Sequence, residues 1–304
     1  MKKVILTGAS GFIGRHVLGH LLKNKFEVHA IFFNHKPEYK DEKNLVWHKC
    51  NILDYSLQEK LFTAVKPSHM IHLAWYTVPG KYWTSPENLR WVQASLNLIT
   101  NFSKNGGLRA VAAGSCAEYD WQNGFCSEMD TPLKPASLYG VCKSSLENIL
   151  NQFSIEAGFS CAWGRIFHLF GPHENPERLV SSVLRAMINK ETVRCTHGNQ
   201  IRDFLYVEDV ASAFVSLLMS DIRGPINIAS NQPKTVREVV LAAADCLGAK
   251  GEIQFGALAS PANEPRMIVG DNRRITEEVG WHPQFDLNSG LMHMVRTWRG
   301  ENFS

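Results

Sequence analysis

Nowhere in the 304 residues do roughly 18 apolar residues follow one another, so no helix long enough to cross a bilayer is expected, and no membrane partner. The seven cysteines, at 50, 116, 126, 142, 161, 195 and 246, include no Cys-x-x-Cys pair and keep no regular spacing. That argues against a zinc site or a disulfide framework, and leaves reduced, mostly packed thiols with no metal expected. An excess of one charge is missing too. The 32 Lys and Arg residues are spread among 29 Asp and Glu residues, a net +3 without a basic block, so a nucleic-acid surface is not expected and a small anionic ligand suits the balance better. No low-complexity linker or internal repeat divides the chain. The first apolar run, Val4 to Leu6, stops at Thr7-Gly8 and reads as a strand rather than an export signal, so a cytoplasmic location is expected.

What is present is an alternation. Short apolar runs at Lys3–Leu6, Val28–Phe32, Met70–Ala74, Ala110–Ala113 and Cys161–Ile166 are interleaved with helical spacing over Ile13–Lys23, Leu89–Phe102 and Leu138–Phe153. This is the pattern of an α/β fold with a doubly wound parallel sheet. From about residue 167, Gly171-Pro172, Asn175-Pro176, Gly198-Asn199 and Pro261 to Pro265 mark loops between shorter elements. The expected division is a sheet domain over 1–166, with a later returning segment near 200–230, and a smaller mixed α/β substrate-binding region over 167–304. A shared cleft is expected at the carboxyl ends of the strands.

Thr7-Gly8-Ala9-Ser10-Gly11-Phe12-Ile13-Gly14 follows the first strand and opens the first helix, the setting in which a glycine-rich turn lets backbone approach a pyrophosphate. Gly8 would allow the tight turn, Gly11 the close approach and Gly14 the packing of helix on sheet. Further on, Tyr139-Gly140-Val141-Cys142-Lys143 places a tyrosine and a lysine on one helical face, where an ammonium can lower a phenol's pKa. Together with Ser115 in Gly114-Ser115-Cys116-Ala117-Glu118-Tyr119, these segments resemble the extended short-chain dehydrogenases/reductases of the NAD-dependent epimerase/dehydratase family. The resemblance implies a Rossmann-like sheet, a nicotinamide cofactor, and catalysis by Ser115, Tyr139 and Lys143. It also implies cofactor contacts from Gly8, Gly11, Phe12, Ile13, Gly14, Arg15, Leu73 and Ala74, from Tyr139 and Lys143, and from Asn51-Ile52, where Asn51 replaces a usual Asp. Asn34, followed by His35 and Lys36, stands where an acidic group would favour NAD(H). A neutral residue beside cations therefore favours NADP(H), with NAD(H) as the other possibility.

Gln200-Ile201-Arg202-Asp203-Phe204-Leu205-Tyr206-Val207-Glu208-Asp209-Val210 is similar to a segment of enzymes that act on nucleotide sugars. The similarity implies that Arg202 pairs with diphosphate or ribose, and that Asp203 and Asp209 orient local structure. His168 stands in place of an Asn that contacts the sugar nucleotide, and Arg266 is positioned to replace a charge lost at Pro261. Trp75 and Tyr119 complete the expected substrate contacts, with Tyr76, Tyr82, Trp83 and Trp91 divided between sugar pocket and core. Dehydratases of the family carry an Asp-Glu pair after the serine, where Cys116 and Ala117 stand here. The segment Cys195 to Phe204, together with Phe255-Gly256-Ala257 and Asn263-Glu264, resembles synthases that reduce a nucleotide-linked 4-keto-6-deoxyhexose. The resemblance implies that reduction as the expected activity, with 4-epimerisation on tightly bound NAD as the alternative. A binder of NADP(H) without catalysis is the reading from another class. Helices around Leu89–Phe102 and Leu138–Phe153 are candidates to pair in a homodimer.

Overall fold

In the computed structural model, which describes residues 2–40, 42–248 and 252–300, the first apolar run forms β1 (Lys3–Thr7). Val4, Ile5 and Leu6 are wholly buried, as a parallel strand covered on both faces requires. The chain continues through α1 (Phe12–Lys23), β2 (Glu27–Phe32), β3 (Leu45–Lys49), α2 (Tyr55–Val65), β4 (His69–His72), α3 (Glu87–Lys104) and β5 (Arg109–Ser115). After the short β6 (Phe125–Cys126) come α4 (Leu138–Glu156) and β7 (Ser160–Ile166). Capping fixes several of these starts. Asp54 accepts the N–H groups of Ser56 and Leu57 at the head of α2, and Ser137 accepts that of Gly140 at the head of α4.

Downstream lie β8 (His168–Phe170), α5 (Leu179–Ile188), β9 (Val193–Cys195), β10 (Ile201–Tyr206) and α6 (Val207–Met219). They are followed by β11 (Gly224–Ile228), β12 (Pro233–Thr235), α7 (Val236–Leu247), β13 (Ile253–Phe255), β14 (Met267–Gly270) and α8 (Leu287–Trp298). The main sheet has seven strands in the order β11-β7-β5-β4-β1-β2-β3, every neighbour parallel. One face packs on α1 and α6 through Val17, Leu21, Phe214 and Leu217; the other packs on α2, α3 and α4 through Phe62, Phe102 and Leu146. The strand order reverses between β1 and β4, which opens a crevice at their carboxyl ends.

The remaining elements build a second sheet, β12-β10-β14-β6 with β8 also on β10, and a third core beneath α5, α7 and α8. Asp203 on β10 is buried and accepts the N–H groups of Ser230, Asn231 and Gly270, so one carboxyl ties three segments together. Asp209 holds the N–H groups of Gln284 and Phe285 in the same manner. Small differences from the sequence reading have local causes. β4 ends at His72, because the N–H groups of Leu73 and Ala74 turn to the Thr7 hydroxyl oxygen. α4 runs on to Glu156. Among the described residues no helix is long and apolar enough to cross a membrane, no group of His, Cys, Asp and Glu could hold a metal, and the seven cysteines are free thiols.

Candidate active site

The crevice between β1 and β4 begins with the glycine turn. Gly8 has φ of +70°, a conformation that favours glycine, and its carbonyl accepts the Gly11 N–H at 2.9 Å. A Cβ on Gly14 would lie 2.0 Å from that carbonyl oxygen, so only a glycine lets the first turn of α1 sit this close. Across the crevice, Thr7 Oγ accepts the N–H groups of Leu73 and Ala74, both at 3.2 Å. Its hydroxyl faces His72 Nδ1 at 2.7 Å, and His72 Nε2 faces Ser95 Oγ at 2.9 Å. Because the Ser95 hydroxyl donates to the Trp91 carbonyl, His72 must donate through Nε2 and accept through Nδ1. Burial, reinforced by Lys143, pushes its pKa down to about 3, so this wall stays neutral.

From the glycine turn a single cavity of about 1400 Å³ runs past Ser115, Tyr139 and Lys143 to Arg202 and Glu264. Gly8, Gly11, Phe12, Ile13, Gly14, Leu73 and Ala74 line its first part. An open backbone cradle at the head of a helix fits the pyrophosphate of a dinucleotide. In the middle, the Lys143 ammonium donates to the Ala113 carbonyl at 2.8 Å and lies 3.7 Å above the Trp75 ring. Burial pushes the lysine down to about 7, and the charge of Glu118 pulls the other way. Tyr139 is packed edge-on by the rings of Tyr82, Trp83 and Trp75 at 5.0, 5.8 and 6.5 Å, and its hydroxyl is within hydrogen-bonding reach of Ser115.

The expected lowering of the phenol by the lysine does not dominate here. Burial raises the Tyr139 pKa above the ordinary phenol range, with the Ser115 hydrogen bond only partly opposing it, and the Lys143 ammonium is 6.0 Å from the ring centre. Tyr139 therefore keeps its proton at neutral pH.

At the far end, Arg202 donates to Glu264 at 3.2 Å, and Gln200 donates to the same carboxyl oxygen and to Thr196. His168 Nδ1, Gln200 Oε1 and Glu264 Oε2 are buried in the cavity wall without a protein partner. Such atoms are costly unless a ligand or water meets them. The sequence expectations are met unevenly. Trp75, Tyr82, Trp83 and Trp91 line the cavity, whereas Tyr76 does not. Tyr119 is turned away from it: the hydroxyl donates to Asn227 at 2.7 Å and accepts from Arg165 at 3.0 Å, which spends it on internal structure. Arg266 is exposed and off the cavity, whereas its neighbours Glu264 and Pro265 line it.

The cofactor residues farther from the turn also differ from expectation. Arg15 folds back on the Ser10 and Gly11 carbonyls. Asn51 accepts the Leu53 N–H, Ile52 is buried in the core, and neither lines the cavity. Asn34, His35 and Lys36 are exposed after β2, at the strand end beside the glycine turn and outside the cavity lining.

Among the cavity residues that escaped the sequence reading are Glu174 and Arg178. Their only signal was charge in the loop that follows Gly171-Pro172. Ser181 donates to Glu174 at 2.9 Å, and the Arg178 guanidinium lies 5.6 Å from the Tyr82 ring centre. Burial raises Glu174 to about 7, against hydrogen bonds and Arg178 that lower it. The unfolded chain would ionise this carboxyl at lower pH than the folded one, so stability is lost as pH rises from the ordinary Glu range to about 7. Glu174→Gln is expected to melt above the wild type by a margin that grows across that window and then levels off. Thermal melts at a series of pH values would measure it, and a margin independent of pH would refute the assignment.

A family profile described as the NAD dependent epimerase/dehydratase family matches residues 4–229. UDP-glucuronic acid decarboxylase 1 of Xenopus tropicalis is 25% identical to the chain, over 99% of it and 73% of the relative. CDP-abequose synthase of Salmonella typhimurium is 23% identical, over 96% of the chain and 97% of the synthase. Among solved structures, MoeE5 in complex with UDP-glucuronic acid and NAD superposes with a TM-score of 0.85 at 29% identity, covering 99% of this chain and 100% of that one. With the family's span running from the first strand through the last strand of the seven-stranded sheet, the protein belongs to the NAD-dependent epimerase/dehydratase family.

Proposed function

We propose that the protein reduces a nucleotide-linked 4-keto-6-deoxyhexose, using NAD(P)H with a preference for NADPH, and that Tyr139 delivers the proton. The observation that carries this reading is the placement of Ser115, Tyr139 and Lys143 midway along one cavity, between a backbone cradle and an Arg202 end rich in unpartnered polar atoms. Gly8, Gly11 and Gly14 would hold the dinucleotide, with Leu73 and Ala74 on the facing wall. A reduced nicotinamide held there would supply the hydride that the ketone carbon accepts. Ser115 and Tyr139 hydrogen-bond the ketone oxygen, and the neutral phenol gives up its proton as charge develops there. The Lys143 ammonium steadies the phenolate left behind. Trp75, Tyr82, Trp83 and Trp91 offer ring faces to a deoxysugar, and Arg202 with His168 takes the nucleotide side.

Cys116 and Ala117 beside the serine supply no acid–base pair for elimination, and Glu118 is wholly buried away from the cavity, which supports reduction over dehydration. Retained NAD with oxidation of the sugar is the second reading, favoured by the decarboxylase relative and by the NAD bound in MoeE5. A homodimer through α3 and α4 is part of the proposal, since Leu89, Val141 and Ile149 are exposed there.

The test is absorbance of the reduced nicotinamide while NADPH or NADH is offered with a panel of nucleotide-linked 4-keto-6-deoxysugars. Oxidation that depends on one sugar supports the reading. No oxidation, together with NAD retained through purification and conversion of the sugar without added cofactor, moves the assignment to the second. In the same assay Arg202→Met is expected to raise KM about 10- to 100-fold, the worth of a hydrogen bond to a charged group, with a smaller change in kcat. An unchanged KM would remove Arg202 from the substrate site.

A further inference from the structure

Glu118 has no solvent exposure and does not line the cavity, yet it touches the candidate catalytic set from behind. One carboxyl oxygen accepts the backbone N–H of Ser115 at 2.7 Å and the indole N–H of Trp163 at 3.0 Å. The other accepts Arg165 Nε at 2.7 Å. Arg165 also reaches Glu147 at 3.8 Å, and the Lys143 ammonium lies 5.7 Å from the Trp163 ring centre. Lys143, Arg165, Glu118 and Glu147 are each at most 5% exposed, two basic and two acidic side chains enclosed together. Gly114 makes room for this arrangement. A Cβ there would fall 2.1 Å from the Trp163 indole nitrogen and 2.8 Å from the Glu118 carboxyl.

We propose that Glu118 is a positioning residue for the reaction: it fixes Ser115 through the backbone N–H, and its negative charge partners the Lys143 ammonium across the Trp163 ring. The inference rests on the reading of Ser115, Tyr139 and Lys143 as the reacting set. A buried ammonium needs a counter-charge, and among the described residues no carboxylate pairs directly with Lys143. The other groups around it do not supply one. His72 on β4 is neutral, Arg165 on β7 is a cation, and Glu147 on α4 faces Arg165. Tyr139 and Cys142 on α4 and Cys116 after β5 are all raised by burial and so carry no charge at neutral pH. Burial lowers Lys143, and Glu118 is the first influence opposing that fall.

The protein is tested with two readouts from mildly acidic to alkaline pH: NAD(P)H binding by fluorescence, and sugar reduction. In wild type both are expected to fall as Lys143 loses its proton. Glu118→Gln keeps the shape and removes the charge, and is expected to move this alkaline limb down by about one pH unit or more. Trp163→Phe keeps a ring but takes a donor from the carboxylate, which leaves its charge less compensated; the limb is expected to move up. A residue with only a structural role would lower the plateau and leave the limb in place. An unmoved limb in Glu118→Gln overturns the proposal. If that variant binds no cofactor at any pH, Trp163→Phe decides, an upward limb supporting the proposal and an unmoved or downward one overturning it. Wild type that reduces no sugar while the binding limbs move as stated defeats the reductase reading alone. Wild type that reduces sugar while the binding limbs stay fixed defeats only the role of Glu118.

Discussion

Replacing Tyr139 with Phe is expected to lower sugar reduction by about 10²- to 10⁴-fold, the usual worth of a placed general acid, while NAD(P)H binding is kept. The reasons are geometric. The rings of Tyr82, Trp83 and Trp75 pack against the tyrosine ring, and its backbone N–H donates to the Trp83 carbonyl at 3.1 Å. Phenylalanine retains all of these contacts and loses only the hydroxyl that meets Ser115. The fall should therefore reside in kcat, with the melting temperature little changed. Turnover at the wild-type rate would remove Tyr139 as proton donor; turnover lost together with cofactor binding would mean the ring, not the hydroxyl, was the important part. A protein that binds NADP(H) without catalysis would show no turnover to lose in either form.

The second large effect is expected at Gly14. Alanine there puts a methyl 2.0 Å from the Gly8 carbonyl oxygen, and Gly8 has no room to withdraw, since its own Cβ position is 2.9 Å from the Ala74 nitrogen. The first turn of α1 must lift from the sheet, at a cost of about 3 kcal/mol, and the cradle for the pyrophosphate opens with it. Gly14→Ala should lose measurable NAD(P)H affinity and melt at lower temperature. Gly19, in the same helix, is the control. Its nearest neighbour would be the Tyr39 hydroxyl at 3.8 Å, so Gly19→Ala should instead stabilise by about 0.5–1 kcal/mol. Equal melting temperatures for the two variants would show that the close packing of α1 on the turn is not what requires glycine.

Much of the first half was legible because a parallel strand covered on both faces is a near-continuous apolar run, and β1, β2, β5 and β7 announce themselves so, with His29 and Arg165 the polar interruptions in β2 and β7. The edge strand β3 does not, since Val46 is exposed and its neighbours are half-buried. β8, β9, β12 and β13 are three residues each, and their pairing partners are set by tertiary contacts that no local pattern contains.

The site divides along the same line. The glycine turn and the Tyr139–Lys143 spacing are local, and the structure brings both to one cavity. Tyr119 stands four residues after Ser115 on paper, but its direction is decided by Asn227, 108 residues away, and by Arg165. Arg266 was expected to replace the charge lost at Pro261, but it is exposed outside the cavity while Glu264 lines it. Glu174 and Arg178 could not be chosen among the other loop charges until β8 and α5 placed them at the cavity wall.

The place of β11 at the outer edge of the seven-stranded sheet has a consequence for biosynthesis. When β7 leaves the ribosome, its partner β11 is still roughly sixty residues from being made, a wait of about 3–12 s at ordinary rates of elongation. During that time the nascent sheet presents the open backbone edge of β7, and the face that α6 will cover is bare. Both are surfaces on which incomplete chains aggregate, and on which holding chaperones act. Rare codons between β7 and β11 would lengthen the exposure, and a stalled chain released in that interval would be a substrate for quality control rather than a smaller working protein.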